Sequence, residues 1–99
     1  MASESEIERE VMRHAMQTGW LQRKLRFINV NGAPDRLLIY KGSHIYIEFK
    51  ALNGTLSPSQ HLEIKRLRDS GANVFVVDNV VEGKKILDDA RKTINSKRS

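Results

Sequence analysis

The chain predicts a mixed α/β sheet flanked by helices, and three observations carry that expectation. Apolar residues recur at three- and four-residue spacing near both ends, a glycine-turned pair of extended segments lies between them, and a short apolar run at residues 74–77 follows a further helical stretch. The predicted order is α-β-β-β-α-β-α, without repeat or low-complexity linker, in a single domain over residues 1–99.

The first helix is predicted from Ser3 or Ser5, each followed by acidic residues, through the stripe Ile7, Val11, Met12, Ala15 and Met16 to a C-terminal stop at Gly19. Glu8 stands three and four positions before Val11 and Met12, so its carboxylate sits either at the edge of the core or in a site. Residues 25–30 suit a strand that ends at Asn31-Gly32. Residues 36–40 and 45–51 suit a hairpin turned at Lys41-Gly42-Ser43. Ser57-Pro58 opens a second helix whose apolar side is Leu62, Ile64 and Leu67, ending near Ser70-Gly71. Residues 74–77 read as a strand buried on both faces. Val80, Val81, Ile86, Leu87, Ala90 and Ile94 predict a last helix, with residues 95–99 as a frayed basic tail.

Composition narrows the function. There is no cysteine among 99 residues, which excludes disulfides, thiolate zinc sites and a cysteine nucleophile. His14, His44 and His61 are dispersed and make no zinc spacing. No apolar run approaches the roughly 20 residues of a membrane span, and charges occupy the place of a signal peptide's apolar region, so a cytosolic protein without membrane contact is expected. Lys plus Arg number 17 against 12 Asp plus Glu, a net charge of +5 that favours a polyanionic partner.

Two carboxylates and one ammonium define the candidate chemistry. Asp35 follows Gly32-Ala33-Pro34 at the opening of one strand, and Glu48 and Lys50 lie thirteen and fifteen positions on, within the next. Residues two apart on a strand share a face about 6.6 Å apart, so Glu48 and Lys50 point one way while Ile47 and Phe49 point to the core. Carboxylate oxygens, the Phe49 carbonyl and phosphate oxygens form an all-oxygen ligand set suited to magnesium or manganese. A hard cation beside a phosphodiester, with Lys50 to orient water or offset developing charge, is the equipment of a nuclease. The competing reading is a turn-capping Asp35 and a solvated Glu-x-Lys face.

The flanking residues Gly32-x-Pro34-Asp35-Arg36, Glu48-Phe49-Lys50 and Gly54-x-Leu56-Ser57-Pro58-x-Gln60 together resemble the virus-type replication-repair nuclease domain of the PD-(D/E)xK superfamily. The likeness also takes in Ile7-Glu8, Gly19 and Val76-Val77-Asp78. It implies a restriction-endonuclease-like core and metal-dependent cleavage of DNA, with Asp35, Glu48 and Lys50 catalytic. It further implies Gln60 as a site residue and Glu8 as the helix carboxylate and metal ligand, with Glu4 and Glu10 as competitors. Stand-alone members resemble short phage or bacterial proteins that cleave junctions as dimers, which implies a homodimer acting on branched, Holliday-junction-like DNA inside a bacterial cell. A non-catalytic DNA-binding module, or a nuclease for flaps, linear DNA or RNA, is the alternative.

Phosphate contact is assigned to Arg23, Lys24 and Arg26, the densest early basic cluster, to Arg36 beside Asp35, and to Lys65 on the second helix. Arg66 and Arg68 extend that helix cluster. Trp20, Tyr40 and Tyr46 are candidates for base stacking or for the core.

Overall fold

The computed structural model describes residues 2–97. Its elements are α1 (Glu4–Gln17), β1 (Leu21–Lys24), β2 (Arg36–Tyr40), β3 (Ser43–Phe49), α2 (Pro58–Asp69), β4 (Asn73–Val77) and α3 (Val80–Lys97). The strands form one sheet in the order β1-β2-β3-β4, antiparallel up to β3 and parallel between β3 and β4. The parallel pair requires a crossover, which α2 supplies.

Ser3 caps α1 by accepting the Glu6 amide proton at 3.2 Å, and its stripe Ile7, Val11, Met12 and Ala15 is buried. That stripe meets Leu38, Tyr40, Ile45, Ile47, Phe49, Val77 and Leu87 in one core, so α1 and α3 cover the same sheet face. Lys41 and Gly42 form a two-residue turn with φ of 46° and 85°, the primed geometry whose twist suits adjoining antiparallel strands. Asn79 opens α3 by accepting from the Glu82 amide at 2.8 Å.

Several boundaries differ from the sequence expectation. The strand expected at residues 25–30 lies earlier, at Leu21–Lys24, and residues 25–35 form an irregular connection. Lys24 pairs with Arg36, and the Leu25 amide donates to the Asp35 carbonyl at 3.0 Å, after which the two chains part. β3 stops at Phe49 instead of Ala51. β4 is an edge strand whose Val74 and Val77 are buried on opposite faces, toward α2 and toward the α1–α3 core, as its apolar run suggested, while Val76 is exposed. Leu62 points to solvent, leaving Ile64 as the buried anchor of α2 beside β4. Asn95, Ser96 and Lys97 continue α3, and the Asn95 carboxamide accepts from the Tyr40 hydroxyl at 3.0 Å, so this part of the expected tail is ordered helix. The remainder of that tail, Arg98 and Ser99, lies outside the described residues.

Candidate active site

Asp35, Glu48, Lys50 and Gln60 converge where β2 begins, β3 ends and α2 begins. Asp35 stands one residue before β2, and its Oδ2 accepts the Phe49 amide proton at 2.8 Å. The β2–β3 pairing ends at Arg36 and Ile47, so this carboxylate takes the place of a backbone acceptor at the next position. Lys50 donates its amide to the Val77 carbonyl across to β4. Alternation along an extended strand therefore turns the Phe49 amide and carbonyl toward the Asp35 side.

Glu48 is buried, 3% exposed, although the strand pattern had placed it on a chemical face. Its Oε2 accepts from Gln60 Nε2 at 3.0 Å and lies 3.8 Å from Lys50 Nζ, while its Oε1 is buried without a hydrogen-bond partner among the described residues. The Gln60 orientation follows from helix capping. Ser57 caps α2 by accepting the Gln60 amide proton, and Gln60 Oε1 returns the bond to the Ser57 amide at 2.9 Å. With its oxygen engaged there, Gln60 has its NH₂ left for Glu48.

Burial pushes the Glu48 carboxyl up to about 7, and the negative charge of Asp35 adds to the rise while Lys50 opposes it. Asp35 is also raised, first by burial and against the lowering effect of the Phe49 amide, with the Glu8 charge adding and Lys50 and Lys24 opposing. Two carboxylates held close at this burial resist sharing full negative charge. A hard cation resolves that conflict, and the unpartnered Glu48 Oε1 is the donor atom such an ion needs, so the residues fit magnesium or manganese.

Glu8 reaches the margin of the site but is engaged by Arg36, whose Nε donates to its Oε2 at 2.7 Å, both side chains about one-fifth exposed. Arg36, expected on DNA, is therefore a partner of Glu8. Among the described residues no three His, Cys, Asp or Glu side chains form a metal-holding group, so Glu8 is not drawn together with Asp35 and Glu48. Of its competitors, Glu4 raises Glu48 by its charge, whereas Glu10 is bonded to Arg13. Lys24 acts electrostatically on Asp35, and Arg23 and Arg26 are exposed nearby in sequence. Lys65 is exposed but bonded to Asp69 at 2.6 Å. Trp20 and Tyr40 are core residues with ring centroids 5.2 Å apart, which removes them as stacking platforms.

Sequence reading missed Glu63, a buried carboxylate one turn after Gln60, with Arg66 3.8 Å away. Its signal was available: it stands three residues from Gln60 and beside the buried Ile64, hence on the inward side of α2.

Comparison with known proteins identifies the family and the fold. No curated protein matches the chain. A solved structure titled VRR_NUC domain is 33% identical, covers 88% of this chain and 97% of its own, and superposes with a TM-score of 0.79. The pattern of the VRR-NUC domain matches residues 18–81, a span holding Asp35, Glu48, Lys50 and Gln60 together. The chain belongs to the VRR-NUC family and has its nuclease fold.

Proposed function

We propose that the protein is a divalent-metal-dependent endodeoxyribonuclease that hydrolyses phosphodiester bonds in branched DNA, acting as a homodimer. The observation that carries this reading is the buried Glu48, with one carboxylate oxygen unpartnered, beside the half-buried Asp35 and an ammonium. Asp35, Glu48 and the Phe49 carbonyl would hold magnesium or manganese, which when bound supplies Lewis acidity to the phosphodiester and acidifies water.

The remaining work falls to the chain's own groups. Lys50 orients the attacking water and offsets the negative charge that grows on the phosphate, and the leaving 3′ oxygen takes its proton from solvent. Gln60 fixes the rotamer of Glu48, and the Phe49 amide fixes Asp35, so neither carboxylate must be ordered when substrate arrives. Lys24, Arg23 and Arg26 position the backbone of the DNA without reading its sequence. Branched substrate and pairing of two copies come from the resemblance of the motifs to stand-alone junction-cleaving members. Approximate two-fold symmetry of a four-way junction suits two symmetric sites.

The test is incubation of the purified protein with an end-labelled four-way junction and a matched linear duplex, with magnesium, manganese or chelator. Metal-dependent incision of the junction is expected, with Glu48→Ala slower by on the order of a thousandfold. Equal cutting of the linear duplex would remove the branch preference. Incision that persists in Glu48→Ala or in chelator would overturn the assigned site.

A further inference from the structure

The connection between β1 and β2 is anchored at both ends on site residues. At its start the Leu25 amide donates to the Asp35 carbonyl, and near its end Gly32 sits so tightly on α2 that a Cβ there would lie 2.3 Å from the Ser59 carbonyl and 2.8 Å from the Gln60 amide nitrogen. Between these anchors residues 25–33 surround an open bay of about 790 Å³, and Asn29 turns the chain with φ of 63°. Leu25 and Phe27 are half-buried, but Ile28, at the bend, is 83% exposed, the most exposed large apolar side chain among the described residues. Val30 and Leu62, also exposed, line a second small bay with Asn29, Asn31 and Arg66. The apolar tip thus shares its bay with cationic Arg26, and Arg66 lines the adjoining one, on a loop whose two ends are fixed to Asp35 and to the residue that holds Glu48.

The geometry points to Ile28 as a wedge that enters a base step of the DNA substrate beside the scissile phosphate, with Arg26 and Arg66 on the flanking phosphates. This rests on the nuclease reading and deepens it by naming what distinguishes branched from continuous DNA. Apolar side chains unstack base steps in many DNA complexes, and unstacking is cheapest where pairing is already interrupted. An exposed isoleucine held by an anchored loop loses no contact of its own on insertion. The cationic flanks match a polyanion and not an apolar protein surface.

Two arms test it. The first compares cleavage of a four-way junction with cleavage of a single strand of the same sequence, for the wild-type chain, Ile28→Ala and Ile28→Leu. The junction-to-single-strand ratio is expected to fall about tenfold in Ile28→Ala and to return with Ile28→Leu. The second uses the Glu48→Gln chain with 2-aminopurine next to the branch point. Its fluorescence is expected to rise on binding and to stay flat when Ile28→Ala is added. An unchanged ratio together with an unchanged fluorescence rise in Ile28→Ala would overturn the wedge while leaving the nuclease reading intact. If the wild-type chain cuts nothing, the nuclease reading fails, and the fluorescence arm still decides the wedge on binding alone.

Discussion

Glu48 would meet opposing demands, since burial favours its neutral form and the proposed cation would favour its charge. Its pKa in the fold, about 7, lies above the ordinary 4.5, so the folded chain holds a proton that the unfolded chain has released between those values. The associated stability is fully present below pH 4.5 and is lost as pH rises through 7. Asp35 is raised as well and adds in the same direction. In chelator, melting temperature should therefore fall between pH 5 and pH 8, by the equivalent of about 3 kcal/mol at most. Glu48→Gln should flatten this slope, and magnesium at pH 8 should offset it in the wild type. A wild-type melting temperature independent of pH in chelator would show that Glu48 is not buried as described. That Asp35, Glu48 and Lys50 lie together was legible from the spacing of two adjacent strands, whereas Gln60 entered only through the resemblance of the Ser57-Pro58-x-Gln60 motif. The depth of Glu48 was not legible, because it depends on elements distant in sequence, among them the first turn of α2, whose Gln60 bonds Glu48, and no local spacing encodes that contact.

Among the elements, those with strong local signals were placed well and those set by pairing were not. The stripe of α1, the Lys41-Gly42 turn and the capping box of α2 are each specified within a few residues. β1 was misplaced because its residues Leu21, Gln22, Arg23 and Lys24 have less strand character than residues 25–30, and the register was decided by pairing with β2, which no local spacing encodes. The two-sided burial of β4 was legible in its apolar run, but its place at the sheet edge was not, because that is set by which strands pair. The loop between β1 and β2 carries its own test. Gly32 has φ of 87° and sits against α2 backbone, so Gly32→Ala should cost about 2–3 kcal/mol and displace the start of α2. Chemical denaturation together with a loss of cleavage would report it, and unchanged stability would show that this close approach is not maintained in solution.

At the scale of the whole molecule, the described chain measures 41 × 34 × 19 Å, a slab with α1 and α3 on one side of the sheet and α2 beside β4 on the other. No described helix is long and apolar enough to cross a membrane. The charge of +5 is spread so that several cations answer to internal partners: Arg36 to Glu8, Lys65 to Asp69, Lys85 to Asp89. Salt dependence of DNA binding should therefore report fewer phosphate contacts than the count of 17 basic residues suggests. Each neutralised phosphate contributes about −0.9 to the slope of log K against log salt on duplex DNA, so Lys24→Ala and Arg26→Ala should each reduce the slope by about that amount. Slopes unchanged in both variants would place the DNA on another face.

The bond from the Phe49 amide to Asp35 has a consequence for descent. Where the hairpin ladder runs out of backbone acceptors, an acidic side chain completes it, so the residue proposed for the chemistry also serves the sheet. A lineage that no longer needed to cut DNA would still be under selection to retain an oxygen at this position. Decay of activity should therefore begin elsewhere, at Lys50 or Glu48, or pass at position 35 through asparagine, whose amide oxygen can accept the same proton.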